Sequence, residues 1–253
     1  MIMILIWDGN VQTTTDLFLG GKVTAIQPAK GYRAGVDAVL LAASVPAKPG
    51  DTVLELGCGV GVASLCLGAR IAGLDITGVE LQSDYADLAS QNGLKVVNAD
   101  LRDLPAGLRN RQFNHVMINP PYFDRATGSA APNAGRDIAM GGETPLSDWI
   151  NIAGKRLAPK GFFTMILRIE RLPEVLTALN RRLGSIVVRP ISARVASAPH
   201  LFLLQARHSG RAPFRLMAPL VMHDGTMHDA DRENYTAQVN EVLRGGAGFA
   251  LGD

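Results

Sequence analysis

The chain has 253 residues, 47% of them hydrophobic, and a formal net charge of +2. This is enough to bury a sizeable core as one large domain or as one domain with appendages. No apolar run approaches the roughly 20 residues that span a bilayer, so we expect no membrane-spanning helix. Residues 1–7 lack the basic leader and small-residue cleavage site of a signal peptide. The two cysteines, Cys58 and Cys66, have neither disulfide-framework nor zinc-site spacing, and the reducing cytoplasm is the expected location.

The first 45 residues carry the pattern of a hairpin followed by a helix. Segments 16–19 and 22–26 alternate in polarity and are separated by two glycines, which is typical of a β-hairpin. Residues 38–45 read as a helix, and Asp37 stands where a helix N-cap is expected. We expect segment 1–45 to pack on the core as a hairpin and helix.

Residues 46–212 alternate strands with helices. The spacing predicts a doubly wound, mostly parallel α/β sheet of seven strands, because crossover helices join parallel neighbours. The last two strands are joined by too short a connection for a helix and should be antiparallel. The predicted strands are 52–56, 75–80, 95–100, 115–118, 161–167, 185–191 and 200–207, and the predicted helices are 62–71, 82–92, 145–157 and 170–183. Residues 213–253 form a C-terminal extension with a strand (215–222) and a helix (234–243).

The basic residues are concentrated in segment 155–215. This segment holds twelve lysines and arginines, and its only acids are Glu170 and Glu174. Such an excess is typical of a surface that binds a polyanion, since each neutralised phosphate releases counterions. A merely solvated basic surface is the alternative.

Polar or glycine residues follow the ends of four predicted parallel strands. Ligands of such sheets bind beyond the carboxyl ends of the strands. The glycine turn after the first strand indicates close approach of the backbone to a ligand. Its spacing differs from the G-x-G-x-x-G fingerprint of dinucleotide sites, and a Walker lysine is missing. The residues that converge at this edge are Gly57, Gly59, Gly61, Glu80, Asp100 and Asn119.

Asn119-Pro120-Pro121-Tyr122 ends the fourth strand. Each proline fixes its own φ, lacks an N–H, and keeps the preceding residue out of the helical region. The carbonyls of Asn119 and Pro120 are therefore held in a fixed direction, beside the side-chain amide of Asn119 and the ring of Tyr122. Such a group can bind a planar amine, with two oxygens accepting its N–H protons and the ring stacking on its face. A simple strand-ending turn is the alternative.

These motifs together resemble those of Rossmann-like class I methyltransferases that use S-adenosylmethionine. More narrowly, residues 31 to about 243 resemble the bacterial valine-tRNA adenine-N6 methyltransferases and their methyltransferase small-domain relatives. The matching segments are 35–41, 55–61, 79–81, 99–100, 119–123, 220–225 and 235–236. The NPPY motif also occurs in glutamine-N5 methyltransferases of release factors, and close variants occur in guanine-N2 rRNA methyltransferases.

The resemblance implies a role for each matching residue. Glu80 would bind the ribose hydroxyls of S-adenosylmethionine, and Asp100 would read its adenine amine. The full set implied to bind the cofactor is Arg33, Asp37, Glu55, Gly57, Gly59, Gly61, Glu80, Leu81, Asp100, Leu101 and Asn119. The implied catalytic residues are Asn119, Pro120 and Tyr122, and the implied substrate contacts are Pro121, Tyr122, Phe123 and Arg125.

The implied reaction is methylation of adenine N6 in RNA, with tRNA as the partner. A release-factor enzyme usually carries an N-terminal helical substrate domain, for which the roughly 30 residues before Gly31 are too few. Guanine-N2 methylation of rRNA, methylation of a small molecule, and a cofactor-binding module that activates a catalytic partner stay open. No metal is expected, because the polar cluster at the C-terminal side reads as a solvated loop; it comprises His223, Asp224, His228, Asp229 and Asp231.

Overall fold

A computed structural model describes residues 12–121, 144–179, 181–225 and 234–252. The predicted hairpin is present: β1 (Thr13–Phe18) pairs in antiparallel fashion with β2 (Val23–Pro28). The chain then enters α1 (Val36–Ser44). Asp37 lies in the first turn of this helix, and the N-cap position is occupied by Gly35 without a side-chain cap. The predicted capping role of Asp37 is therefore wrong.

A mixed sheet of nine strands forms the centre of the fold. Its strands run in the order β10-β8-β9-β7-β6-β3-β4-β5, and β11 also pairs with β8. Neighbours from β5 to β7 are parallel, whereas β9 is antiparallel to both β7 and β8. The strands are β3 (Thr52–Leu56), β4 (Asp75–Glu80), β5 (Val96–Asn98), β6 (Phe113–Ile118), β7 (Leu157–Arg168), β8 (Leu183–Ser192), β9 (Pro199–His208), β10 (Arg215–Leu216) and β11 (Leu220–Val221).

Helices cover both faces of this sheet. Strand side chains alternate between the faces, so Val53 joins one apolar cluster and Leu54 joins the other. The first cluster includes side chains of α1, α2 and the C-terminal helix, and the second includes side chains of α4, α5 and α6. The other α-helices of the described residues are α2 (Val62–Arg70), α3 (Ser83–Gln91), α4 (Ala106–Arg109), α5 (Leu146–Arg156), α6 (Leu172–Ala178) and α7 (Ala237–Asn240). Within the described ranges, no helix is long and apolar enough to cross a membrane.

The α/β class and the parallel core are confirmed, and the differences lie towards the C-terminus. The predicted strand 215–222 is split into β10 and β11, which add two short edge strands to the predicted seven. Pro219 precedes β11 and has no N–H for a continuous ladder. The helix predicted over 170–183 shortens to α6, and Pro173 lies in its first turn, where proline is tolerated. The helix predicted over 234–243 is replaced by α7 and a π-helical turn, Glu241–Gly245.

Candidate active site

The parallel register brings the predicted ligand-binding segments to one edge of the sheet. The last residue of β3 lies beside Val79 of β4 and beside Ile118 of β6. The residues that follow these three are therefore neighbours across the sheet: Gly57, Glu80 and Asn119. The convergence predicted from the strand ends is confirmed.

The glycine turn after β3 has a conformation that side chains would prevent. The Val79 carbonyl accepts the backbone N–H groups of Gly57, at 2.8 Å, and of the next residue, at 3.0 Å. The φ angles of Gly57, Gly59 and Gly61 are +68°, +54° and +89°, a region that favours glycine. A Cβ atom on Gly57 would also lie 2.5 Å from Cη2 of Trp149. The turn thus presents bare backbone at the carboxyl edge.

Glu80 links the end of β4 to this turn. Its Oε2 accepts the Gly59 N–H at 2.9 Å, and its Oε1 accepts the Gln82 N–H at 2.9 Å. Burial raises the pKa of Glu80, while these backbone hydrogen bonds act in the opposite direction. A carboxylate has about four acceptor positions, so both oxygens keep capacity for a ligand. The next side chain, Leu81, is 54% exposed at the same edge.

Asp100 follows β5 and is bonded to its own neighbour. Its carboxylate accepts the backbone N–H of Arg102 at 2.8 Å and a guanidinium N–H at 2.6 Å. These hydrogen bonds lower the pKa of Asp100. Leu101 is buried in the core below. An adenine amine that binds Asp100 would therefore share its carboxylate with Arg102.

Glu55 lies inside the core beneath the glycine turn. Its side chain is buried, and its Oε2 accepts a hydrogen bond from the Ser64 hydroxyl at 2.5 Å. Desolvation raises the pKa of Glu55 to about 8, so the carboxyl is mostly protonated at neutral pH. Glu55 therefore supports the turn from below, through α2.

Asn119 is held by a carboxylate from a distant part of the chain. Its Nδ2 donates to Oδ2 of Asp37 at 2.9 Å and lies 3.4 Å from the Tyr32 hydroxyl. Because an ionised carboxylate only accepts hydrogen bonds, the amide must turn its NH₂ group towards Asp37. The Asn119 Oδ1 atom then faces the other way. It is buried and has no hydrogen-bond partner among the described residues.

Tyr32 is a site residue that the sequence motifs did not single out. Its backbone is held by the Tyr85 hydroxyl, which accepts the Tyr32 N–H at 2.9 Å and donates to the Tyr32 carbonyl at 3.2 Å. A Cβ on Gly59 would lie 3.8 Å from the Tyr32 ring, which places this ring beside the glycine turn. Burial and then Asp37 raise the pKa of Tyr32, so the hydroxyl stays neutral. The available signal was an aromatic residue between two glycines just before α1.

Arg33 binds the hairpin. Its guanidinium donates to the Asp16 carboxylate at 2.5 Å and to the Thr14 hydroxyl at 2.6 Å. Within the described ranges, no hydrogen bond joins Arg33 to another of the predicted site residues. Its bonds tie the segment that carries Tyr32 and Asp37 to β1.

An arginine anchors the second of the two prolines after Asn119. The Pro121 carbonyl accepts a hydrogen bond from Nη1 of Arg171 at 3.1 Å, and Arg171 also binds Glu174 at 2.8 Å. Pro120 is buried. The remaining predicted site residues, namely Tyr122, Phe123 and Arg125, lie outside the described residues.

Other candidate groups lie apart from this edge or lack a ligand set. Cys58 and Cys66 are free and buried, and burial raises the pKa of the Cys66 thiol to about 12. The described part of the chain holds no group of three His, Cys, Asp or Glu side chains that suits a metal ion. His223 stacks on Tyr235, with ring centroids 4.8 Å apart.

Comparison with protein families and curated sequences assigns these motifs to known relatives. The family model described as "Methyltransferase small domain" matches residues 33–184. A tRNA1(Val) (adenine(37)-N6)-methyltransferase from Dickeya chrysanthemi is 31% identical over 196 residues, which cover 74% of this chain and 77% of that protein. A protein of the same name from Porphyromonas gingivalis is 28% identical, with the same coverage of both chains.

Solved structures support the fold. A predicted O-methyltransferase from Agrobacterium tumefaciens superposes with a TM-score of 0.69 at 24% identity, covering 85% of this chain and 98% of that one. A SAM-dependent O-methyltransferase from Thermotoga maritima superposes with a TM-score of 0.51 at 14% identity, covering 73% and 69%. At these identities the likeness concerns the fold alone.

Proposed function

Since the chain belongs to the methyltransferase small-domain family and is a methyltransferase, we propose that it methylates the exocyclic N6 amine of adenine in tRNA, with S-adenosylmethionine as the donor. The observation that carries this proposal is the buried Oδ1 atom of Asn119, for which the described residues supply no hydrogen-bond donor. Leaving such an acceptor unmet costs about 1–3 kcal/mol. An exocyclic amine bound at this edge would satisfy the Asn119 Oδ1 atom, because the amine has two N–H groups to donate.

The acceptor residues act by positioning. The lone pair of an exocyclic amine is delocalised into the ring, so the amine is a poor nucleophile. The Asn119 Oδ1 atom and the Pro120 carbonyl, each accepting one N–H, favour a pyramidal nitrogen and aim its lone pair. This combines orientation with electrostatic stabilisation of the charge that develops on nitrogen. The proton leaves after transfer, so a strong general base is not required.

The residues of the carboxyl edge fit the proposed donor. S-adenosylmethionine supplies an electrophilic sulfonium methyl group when it is bound. The glycine turn offers backbone without Cβ atoms, and Glu80 keeps acceptor capacity for ribose hydroxyls. The exposed Leu81 offers an apolar surface to the adenine ring. Asp100 remains a candidate for the adenine amine through lone pairs that it shares with Arg102.

The RNA substrate is proposed from the names of the relatives and from the chemistry of the acceptor segment. Two relatives are named for adenine N6 in a valine tRNA. A base must leave its stack to enter a pocket. Tyr122 is expected to offset part of that cost, since stacking on an aromatic ring contributes roughly 1–3 kcal/mol per base. This substrate would place the reaction in the cytoplasm.

Methyl transfer to separated substrate pools tests the proposal. The protein is incubated with methyl-labelled S-adenosylmethionine and with tRNA, rRNA or total protein, and labelled tRNA is then digested to nucleosides. We expect label in tRNA as N6-methyladenosine. Label confined to protein would support glutamine methylation, and label in rRNA as N2-methylguanosine would support the guanine enzymes; either result would overturn the proposal.

The Asn119→Ala variant tests the assigned acceptor. Transfer should fall by about 100- to 1,000-fold, the loss expected when one preorganised polar contact to the transition state is removed. Donor affinity, measured by calorimetric titration, should stay near that of the unmodified protein. A comparable loss of donor affinity would contradict the separation between acceptor and donor sites.

A further inference from the structure

Five exposed basic side chains lie at the end of the sheet opposite the proposed acceptor site. β7 begins at this end, and because β9 is antiparallel to both β7 and β8, β8 begins and β9 ends there. We name this group the basic edge. It consists of Lys160, Arg181, Arg182, Arg207 and Arg211.

Specific contacts gather these residues from three segments. Nε of Arg207 donates to the Lys160 carbonyl at 3.2 Å, and its guanidinium lies 5.4 Å from the centre of the Phe162 ring. The Arg182 carbonyl accepts the N–H of Ser209 at 2.7 Å. Arg211 lies two residues after Ser209, and the N–H of Ala212, the residue after it, donates to the Ser185 hydroxyl at 2.9 Å. The basic edge is therefore a defined surface.

Few acids accompany this positive charge. Among the described residues from β7 to β10, the acids are Glu170 and Glu174, and both lie beyond the opposite end of β7. Glu170 pairs with Arg168 at 3.1 Å and Glu174 pairs with Arg171. At the same end as the basic edge, Asp75 at the start of β4 forms an ion pair with Arg111, and Asp51 just before β3 is hydrogen-bonded to His115.

The separation from Asn119 can be read from the strand register. His115 pairs with Phe162, and β7 bulges between Leu157 and Phe162, where Lys160 lies. Phe162 pairs with Arg207 and Leu183 pairs with His208, so the start of β8 is level with residue 114, five residues before Asn119. At about 3.3 Å per residue, this is about 17 Å along the strands. Three strand spacings of about 4.8 Å separate β6 from β8. The start of β8 is therefore about 22 Å from Asn119, and one nucleotide cannot reach both places.

We propose that the basic edge binds the phosphate backbone of the tRNA at a distance from the base that is methylated. This inference rests on the proposed function and adds the part of the enzyme that recognises a folded RNA. Arginine suits this role because its guanidinium binds phosphate oxygens in a bidentate manner. Contacts to phosphates give affinity that does not depend on nucleotide sequence. The acceptor site would therefore select the base, and the basic edge would select an RNA of suitable size and shape.

The test removes two charges from the basic edge and two from elsewhere at the same end. The first variant is Arg181→Gln/Arg211→Gln. The matched control is Lys48→Gln/Lys95→Gln, whose exposed side chains lie before β3 and β5. Binding of bulk tRNA is measured at several salt concentrations, together with KM for tRNA and the affinity for S-adenosylmethionine.

Two lost phosphate contacts should weaken tRNA binding by about 15- to 30-fold at 0.15 M salt and reduce the slope of log affinity against log salt by about 1.4 to 1.8. KM for tRNA should rise in parallel, with kcat and donor affinity unchanged. The control variant should bind tRNA within about twofold of the unmodified protein, because its lysines precede β3 and β5, which lie on the other side of β6 from the basic edge.

Equal tRNA binding by the two variants would overturn the inference and leave the proposed function intact. Loss of binding to vesicles that contain phosphatidylserine, with tRNA binding unchanged, would overturn it in favour of a membrane surface. If the unmodified protein methylates no RNA, the proposed function is wrong, whereas a selective loss of tRNA binding in the first variant would still support the basic edge as an RNA contact.

Discussion

The hydrogen bond between Asp37 and Asn119 predicts that exchanging the two side chains preserves function better than changing either one. Asp37→Asn replaces the charged acceptor with an amide. Asn119→Asp places two carboxylates at hydrogen-bonding distance from each other. The double variant Asp37→Asn/Asn119→Asp restores one donor and one acceptor, with the amide now at position 37. An oxygen at position 119 again faces the acceptor edge.

The magnitude follows from the kind of bond that is lost. Nδ2 of Asn119 lies 2.9 Å from a carboxylate oxygen, and a hydrogen bond to a charged group contributes about 1.5–3 kcal/mol. If this bond orients the Asn119 amide, Asp37→Ala should lower kcat/KM by about 10- to 150-fold, since 1.4 kcal/mol corresponds to a factor of ten. Asp37→Asn keeps a neutral acceptor and should lose less. Asn119→Asp should lose more, because like charges at this distance repel.

The assay is a double-mutant cycle on kcat/KM for tRNA, with donor affinity measured separately. We expect the exchanged pair to recover activity, with a coupling energy of at least about 1.5 kcal/mol. Tyr32→Phe should change activity by less than about threefold, since its hydroxyl lies 3.4 Å from Nδ2 of Asn119 and supplies only a weak contact. Thermal denaturation of each variant identifies any loss caused by unfolding.

The cycle also defines the result that would refute the orienting role. Effects that add within about 0.5 kcal/mol would mean that Asp37 and Asn119 act independently. A loss of donor affinity that matches the loss of kcat/KM would mean that Asp37 binds the donor and does not orient the Asn119 amide.

Gly57→Ala should lower the free energy of unfolding by at least about 2 kcal/mol, because φ is +68° and a Cβ would meet a tryptophan ring. Gly107→Ala is the control in urea titrations, and it should keep or slightly raise the stability, because its Cβ would meet open space in a helix, where alanine is preferred. A Gly57→Ala variant as stable as the unmodified protein would contradict this. Glu55 has a pKa of about 8 when folded and near 4.5 when unfolded, so stability should fall as pH rises from 5 to 8, by up to about 1.4 kcal/mol per unit. Glu55→Gln should flatten that fall, and an unchanged slope would exclude Glu55 as its source. Arg171→Lys should lower kcat by about 3- to 10-fold without changing donor affinity, since Nε and Nη2 of Arg171 bind the Glu174 carboxylate while Nη1 binds the Pro121 carbonyl, and an ammonium cannot reproduce this arrangement. An unchanged kcat would remove this anchor from the mechanism.

Local patterns were sufficient to predict the parallel core and the residues that meet at its carboxyl edge. Buried strands that end at glycine, acid or asparagine have their polar groups at the same side of a parallel sheet, so Gly57, Glu80 and Asn119 converge whatever the loops do. The register confirms this. The edge strands were less predictable, because pairing of two-residue segments such as β10 and β11 depends on the neighbouring strand rather than on their own composition.

The contacts that orient the site depend on tertiary structure. Asp37 is of a residue type and at a position that are typical of a helix cap. Only the folded chain brings its carboxylate to Asn119, 82 residues away. Tyr32 carries no motif of its own and becomes a site residue because Tyr85 holds its backbone. The distribution of the basic residues of segment 155–215 between the two ends of the sheet also depends on topology. Because β9 is antiparallel to β7, Arg207 lies at the end opposite the acceptor site.

Asp37 and Asn119 are 82 residues apart in the chain, and this separation has a consequence for partial unfolding. Opening of segment 31–37 alone, whose residues are half-buried or exposed, would release the Asn119 amide while the parallel strands from β3 to β6 stay paired. Proteins open such units at lower free energy than they unfold as a whole. Activity in rising denaturant should therefore disappear before the circular dichroism of the sheet changes. The enzyme would become inactive at denaturant concentrations at which the sheet is still folded.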